Sequence, residues 1–118
     1  MEKLTVYYNP DCSKCKKLRI LLSSQDMEVK WVNYLENPLT AEELTALLEK
    51  MGSQPSAVIR LTEEERAGLS EEQLFERLVE DPALLNRPII DREQTAFLCR
   101  PLDIIKEKMP EYDWSAYL

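Results

Sequence analysis

A β-rich run, a turn, a cysteine pair and an amphipathic helix follow one another at the start of the chain, and this order constrains the fold most. The run Leu4-Thr5-Val6-Tyr7-Tyr8 predicts a strand that stops at Asn9-Pro10-Asp11. The spacing of Leu18, Leu21 and Leu22 predicts a helix over residues 13–24. Residues 28–34 (EVKWVNY) alternate like a second strand. A strand–helix–strand order is typical of two parallel strands joined by a crossover helix.

The middle of the chain has the sequence pattern of a helical block over about residues 40–85. Thr40 and Glu43 form a capping box, in which the hydroxyl accepts from the third helical amide and the glutamate reaches back. Ser70 and Gln73 repeat this arrangement before a second apolar stripe. Between the two boxes, Gly52 is expected to end the first helix, and residues 55–67 to form one or two short helices.

The end of the chain predicts two further strands and a last helix. The strands are Arg87–Asp91 and Thr95–Cys99, joined by a polar turn, and Pro101 is placed to open the helix. Without the helical block, the order is β-α-β followed by β-β-α. This is the plan of a thioredoxin-like (glutaredoxin-like) α/β fold with a mixed four-stranded sheet. The 118 residues are predicted to form one such domain with the block inserted.

Composition narrows the class of function. A hydrophobic content of 44% is enough for a core, and a net charge of −7 disfavours direct binding of nucleic acid or anionic lipid. No apolar run approaches the ~18 residues that would cross a bilayer. The first residues lack the basic and apolar regions of a secretory signal. A cytoplasmic protein without membrane contact is therefore expected.

Cys12 is the candidate nucleophile. It stands between the first strand and the first helix, where free backbone N–H groups and the helix dipole stabilise a thiolate. An ordinary thiol with a pKa of about 8.5 is only about 3% ionised at pH 7, so a lowered pKa greatly increases its reactivity. The chain contains no histidine that could serve as a general base.

Cys15 lies at position i+3 from Cys12, within reach of a reversible disulfide on a helix. Three cysteines do not form a disulfide framework, so the pair suggests redox or metal chemistry. Zinc is disfavoured because it needs four ligands, and only Cys99 could join the pair. We therefore expect no bound metal or cofactor. Cys99 itself is expected to be a small packed strand residue.

Five segments, distributed over nearly the whole chain, resemble the glutaredoxin-coupled arsenate reductases of the ArsC family. They are Tyr8–Cys12, Tyr34–Pro38, Ala57–Arg60, Asn86–Ile89 and Leu98–Pro101. An Asn-Pro-x-Cys motif by itself is weak. The joint presence of Asn-Arg-Pro-Ile and Leu-Cys-Arg-Pro at the right separations makes the resemblance specific.

The resemblance implies roles for particular residues. Cys12 would attack arsenic, and Arg60, Arg87 and Arg100 would hold the oxyanion, for which planar guanidinium groups are well suited. Pro88 would be the cis proline that faces the active cysteine in thioredoxin-like proteins. Glutathione would be the co-substrate, with glutaredoxin as the protein that regenerates the enzyme.

The sequence departs from the family pattern at two positions. The family usually has serine at Cys15, and its better-known members have histidine at Tyr8. Cys15 could therefore resolve the adduct internally, leaving a Cys12–Cys15 disulfide for thioredoxin or glutaredoxin. It also fits an alternative function, that of Spx-type redox-sensing transcriptional regulators, which carry Cys-x-x-Cys here and bind RNA polymerase. Arg100 favours the reductase, because those regulators lack the Leu-Cys-Arg-Pro motif.

Overall fold

A four-stranded mixed sheet organises the protein, as the sequence predicted. The computed structural model describes residues 1–118. The strands are β1 (Glu2–Tyr8), β2 (Met27–Asn33), β3 (Ile89–Asp91) and β4 (Ala96–Leu98), in the spatial order β2-β1-β3-β4. β1 is parallel to β2 and antiparallel to β3, which is antiparallel to β4. The fold is the predicted thioredoxin-like α/β architecture.

The first helix, α1 (Ser13–Ser23), covers one face of the sheet. Its leucines, at the predicted spacing, pack into a core with strand residues of the same face and with the C-terminal segment: Leu4, Val6, Ile90, Phe97, Ile105, Met109 and Trp114. Because α1 connects two parallel neighbours, its N-terminus lies at the edge of the sheet where β1 and β2 both end. Cys12 therefore lies at the carboxyl edge of the sheet.

The opposite face is covered by the helical block. It contains α2 (Ala41–Met51), α3 (Glu63–Arg66) and α4 (Glu71–Glu80), with 3₁₀ turns at Pro55–Ala57 and Pro82–Leu84. Both predicted capping boxes are confirmed, and Gly52 ends α2 in the left-handed conformation at φ 61°. Leucines of α2 and α4 pack beneath the sheet with Ile89 and Ala96. The block thus forms a second core and delivers the chain to β3.

The C-terminal segment differs from the prediction at its start. Pro101 precedes a 3₁₀ turn (Leu102–Ile104), and the last helix, α5, spans only Ile105–Lys108. The turn begins with an i→i+3 bond from the Ile104 N–H to the Pro101 carbonyl, at 3.1 Å. Met109 and Trp114 are nevertheless buried beside α1. No helix has the length and apolarity needed to cross a membrane.

Candidate active site

A tight turn between β1 and α1 positions Cys12. The buried Asn9 side chain accepts a hydrogen bond from the Asp11 N–H at 2.9 Å, and the Asn9 carbonyl accepts from the Cys12 N–H at 3.1 Å. Asparagine forms such side-chain turns readily, and Pro10 favours a bend. Cys12 is the N-cap residue of α1, with an extended backbone at φ −89° and ψ 120°. The sulfur is half-buried and reduced.

The surroundings of Cys12 favour its thiolate. Partial burial by itself raises the pKa of this thiol. Hydrogen bonding from the N–H groups of Cys15 and Lys14, from the Cys15 thiol and from the Arg100 guanidinium outweighs burial, so that the pKa is lowered overall. The two N–H groups belong to the first turn of α1, where no intrahelical partner exists for them. Cys12 is therefore an activated nucleophile.

We expect the alkylation rate of Cys12 to titrate below the value of a free thiol, about 8.5. Because the pKa is lowered, the thiolate is present above that pKa and is lost only as the pH falls through it. The second-order rate constant with iodoacetamide, measured from pH 4 to 10, gives the midpoint, and Cys12→Ser provides the baseline. A midpoint at or above about 8.5 would contradict the assignment.

Cys15 is buried and protonated beside the nucleophile. Only 3% of the residue is exposed. Burial is the main reason that the pKa of its thiol is raised to about 11; the Asn9 backbone and Arg87 oppose this rise, and Cys12 adds to it. At neutral pH, Cys15 is therefore a thiol that donates toward the Cys12 thiolate. The two thiols lie close enough for each to affect the pKa of the other.

Arg100 and Arg87 come together at the cysteine pair. The Arg100 guanidinium lies close enough to lower the pKa of the Cys12 thiol, and its Nη1 donates to the Arg87 carbonyl at 3.2 Å. The Arg87 guanidinium lies near the thiol of Cys15, and its Nη1 donates to the carbonyls of Ala83 and Leu85. Its Nε is buried and has no hydrogen-bond partner. Buried donors are nearly always paired, so this unpaired N–H beside the cysteine pair is an exception.

Arg60 is the least engaged of the three predicted arginines. Its side chain is exposed and makes no hydrogen bond or ion pair within the protein. Its backbone N–H donates to the Leu84 carbonyl at 2.7 Å, and the adjacent Ile59 pairs with Leu85. These bonds attach Arg60 to the segment that leads into Arg87, and no hydrogen bond joins its side chain to Cys12.

Tyr34 belongs to the site, although the sequence pattern predicts no role for it. It is 1% exposed, and its hydroxyl donates to the Leu85 carbonyl at 3.1 Å. Burial raises its pKa, which the nearby Arg87 opposes. Because Tyr8 pairs with Asn33 in the parallel register, Asn9 and Tyr34 both follow the ends of neighbouring strands. A polar aromatic residue directly after β2 was the available sequence signal.

Tyr8, where better-known family members have histidine, is engaged in an aromatic cluster. Its ring packs edge-on against Trp31 at a centroid distance of 5.8 Å. The Arg19 guanidinium lies 4.3 Å from the Trp31 centroid and 5.7 Å from the Tyr8 centroid, which permits cation–π contact. Activation of Cys12 therefore depends on the helix amides and Arg100, without help from an imidazole.

Pro88 and Cys99 connect the site to the β3–β4 hairpin. The Arg87–Pro88 peptide bond is cis, and the Pro88 carbonyl accepts from the Cys99 N–H at 2.8 Å. Cys99 is fully buried, and burial raises the pKa of its thiol to about 12. The expected packing of Cys99 is confirmed, but the residue lies directly after β4 rather than within it. No group of three or more His, Cys, Asp or Glu side chains is arranged to hold a metal ion.

Comparison with known proteins identifies related sequences. The family model described as the ArsC family matches residues 7–108. An arsenate reductase of Yersinia enterocolitica is 33% identical over an alignment that covers 99% of this chain and 88% of the relative. An arsenate reductase of Escherichia coli K12 is 31% identical with the same coverage. The similarity therefore includes every segment of the site.

Comparison with solved structures also identifies an arsenate reductase as similar to this chain. The arsenate reductase of Vibrio cholerae superposes with a TM-score of 0.79 at 31% identity. The superposition covers 90% of this chain and 97% of the other. A structural match of this extent includes both the sheet and the helical block.

Proposed function

Since the chain belongs to the ArsC family, we propose that it reduces arsenate to arsenite through a covalent Cys12–arsenic adduct, with thiols as the electron source. The relatives named as arsenate reductases, including the structurally similar one, support the substrate. The local chemistry supports the attacking atom, because Cys12 is the one cysteine of the chain whose pKa is lowered.

The arrangement of Arg87 and Arg100 around the cysteine pair is the observation that carries this proposal. Arg100 interacts with the Cys12 sulfur, and Arg87 keeps a buried Nε–H without a partner. Guanidinium groups bind tetrahedral oxyanions through several charge-assisted hydrogen bonds. An arsenate bound between them would present its arsenic atom to the thiolate, and the same groups would stabilise the negative charge of the adduct.

In the first step, the Cys12 thiolate attacks arsenic(V) of H₂AsO₄⁻. A sulfur–arsenic bond forms, and one arsenic–oxygen bond breaks. The leaving oxygen takes up a proton and departs as water, so the product is Cys12–S–AsO₃H⁻. The chain contains no histidine that could supply this proton. Arsenic is still pentavalent at this stage.

In the second step, a thiol attacks the sulfur of Cys12. A disulfide forms, the sulfur–arsenic bond breaks, and its electron pair stays on arsenic, which becomes arsenic(III) and leaves as arsenite after protonation. Two thiols have then been oxidised for one arsenic reduced by two electrons. With glutathione as the attacking thiol, a Cys12–glutathione mixed disulfide results, which glutaredoxin reduces. With Cys15, an internal disulfide results, which thioredoxin or glutaredoxin reduces.

Formation of the adduct would make Cys15 a better nucleophile. Burial is the main cause of its high pKa, of about 11, and contact with the Cys12 thiolate adds to it. Once Cys12 is bonded to arsenic, its sulfur is neutral and the charge of the adduct lies on the arsenic-bound oxygens, so the contribution of the thiolate sulfur disappears. The Cys15 thiol would therefore ionise more easily only after the substrate has reacted. Until Cys12 has reacted, the Cys15 thiol therefore stays protonated and is a poor nucleophile.

The function is tested by a coupled assay on the purified protein. NADPH oxidation is followed at 340 nm with glutathione, glutathione reductase and glutaredoxin, and in a parallel series with thioredoxin and its reductase. We expect NADPH to be consumed only when arsenate is added, with arsenite as the product by chromatography. The absence of arsenate-dependent oxidation in both series would reject the function.

Substitution of Cys15 by serine separates the two routes of resolution. If Cys15 resolves the adduct, the wild type treated with arsenate should contain a Cys12–Cys15 disulfide, detected by mass spectrometry after trapping free thiols. Cys15→Ser should then depend more strongly on glutathione, because only an external thiol can complete the step. The serine hydroxyl can still donate to Cys12, so the alkylation midpoint should change little. An unchanged rate and glutathione dependence would make Cys15 a packing residue.

Redox-sensing regulation remains a second candidate because of the contact between the Cys12 and Cys15 sulfurs. A regulator of this kind binds RNA polymerase in one redox state and turns over no substrate. Co-purification with RNA polymerase under reducing but not oxidising conditions, in the absence of arsenate turnover, would favour it.

A further inference from the structure

Helix α1 is strongly cationic in an otherwise acidic protein. It carries four basic residues and no acidic residue, whereas the whole chain has a net charge of −7. The basic residues are Lys14, Lys16, Lys17 and Arg19. None of them forms an ion pair, although four ion pairs exist elsewhere in the structure. The positive charge of this helix is therefore available to an external anion.

One side of this helix forms the wall of a cleft of about 480 Å³. Lys14 and Lys17 contribute positive charge to the lining, and Asp103 contributes negative charge. The remaining lining is apolar or aromatic: Ile20, Leu21, Leu102, Tyr117 and Leu118. The volume falls within the range of roughly 300–1,000 Å³ that is common for small-molecule sites.

Two lining residues of the cleft are near neighbours of the site in the sequence. Lys14 lies two positions after Cys12, and Leu102 lies two positions after Arg100. With a rise of 1.5 Å per residue, Lys17 lies about 7.5 Å along the helix axis from Cys12. A ligand held by Lys17 therefore needs to extend by only about 10 Å to reach the sulfur, the span of three extended residues.

We propose that this cleft binds the external thiol donor, and that the donor is a small peptide thiol with two carboxylates and one ammonium group, the class that includes glutathione. Lys14 and Lys17 match the two carboxylates, and Asp103 matches the ammonium. The three side chains line one cleft without pairing to each other. The apolar lining accommodates the methylene groups of the peptide.

This inference deepens the proposed function and rests on it for the reaction that the donor serves. In that reaction the donor thiol is deprotonated and attacks the Cys12 sulfur of the arsenic adduct. A sulfur–sulfur bond forms, the sulfur–arsenic bond breaks, and arsenic takes the electron pair. Binding along α1 would hold the donor sulfur at the N-terminus of the helix, where free amides favour its thiolate as they favour that of Cys12.

Binding is measured separately from the thiol reaction by using S-methylglutathione, which has no free thiol and cannot attack Cys12. Its affinity for the reduced wild type is measured by titration calorimetry, and the site is located by amide chemical-shift changes. Lys17→Gln is compared with Lys16→Gln. Both residues are exposed on α1 and lose the same charge, but only Lys17 lines the cleft. We expect Lys17→Gln to weaken binding about fivefold and Lys16→Gln to change it by less than about twofold. Asp103→Asn should weaken it by a similar factor.

Three outcomes would overturn the proposal: no binding to the wild type, equal weakening by both lysine substitutions, or shift changes confined to residues outside the cleft. Equal weakening would indicate only a general attraction of the helix for anions. The titration contains no arsenate, so its result is independent of whether arsenate is turned over. Binding in the cleft combined with no arsenate reduction would reject the proposed function and keep the thiol site.

Discussion

Replacement of Cys12 by serine is expected to abolish arsenate-dependent NADPH oxidation, with a loss of at least about 10⁴-fold in kcat. A serine hydroxyl is not ionised at neutral pH, even beside the amides of Lys14 and Cys15. Its oxygen also could not accept the attack of a second thiol to form a disulfide, so no electrons would reach arsenic. Both steps of the reaction would fail at once. The initial rate at saturating glutathione and arsenate measures the effect.

Cys99→Ala is the matched control for this experiment. Cys99 is also a cysteine of the chain, but it is fully buried in the core and its thiol has a pKa of about 12. The variant should keep most of the wild-type rate, with the far-ultraviolet circular dichroism spectrum confirming the fold of each protein. Activity of Cys12→Ser above a tenth of the wild-type rate would exclude Cys12 as the nucleophile.

Replacement of Arg100 by alanine is expected to lower kcat/KM for arsenate by about 10²- to 10³-fold. The guanidinium has two tasks here, because it interacts with the Cys12 sulfur and would bind the oxyanion. Without it, the pKa of Cys12 should rise, so the alkylation midpoint should move to higher pH. The Arg87 carbonyl would also lose the hydrogen bond that the Arg100 Nη1 donates to it at 3.2 Å. Steady-state kinetics and the alkylation profile measure the two tasks separately.

Arg100→Lys and Arg77→Ala complete this test. Lysine restores the charge but not the planar guanidinium group. Compared with Arg100→Ala, Arg100→Lys should therefore have a lower alkylation midpoint but a kcat/KM that is still close to that of Arg100→Ala. Arg77 is exposed on α4, and its replacement should change neither quantity beyond about twofold. An Arg100→Ala variant with kinetics like those of Arg77→Ala would remove Arg100 from the site.

Local signals in the sequence were sufficient for most of the secondary structure. The alternating run before Asn9 and the leucine spacing after Cys12 are patterns that involve only neighbouring residues. The observed β1 and α1 lie close to the positions that these patterns predict. The capping boxes at Thr40 and Ser70 predicted the starts of α2 and α4 because their hydrogen bonds are made within one turn. A third capping box, Thr62 with Glu65, starts α3. The sequence pattern does not indicate where this helix starts, because its four residues contain no apolar stripe.

The sequence by itself determined the identity and position of the nucleophile. A cysteine directly before a helix gains its stabilising amides from the next three residues, so its activation is a local property. The convergence of Arg87 and Arg100 on that cysteine was decided by the tertiary structure. Antiparallel pairing of β3 with β1 and β4 brings them to a residue that lies more than 70 positions earlier in the chain. The chain pattern alone does not contain this contact, because it results from the pairing of distant strands. The burial of Cys15, the solvent-exposed position of Arg60 and the unpaired Nε of Arg87 likewise follow from packing.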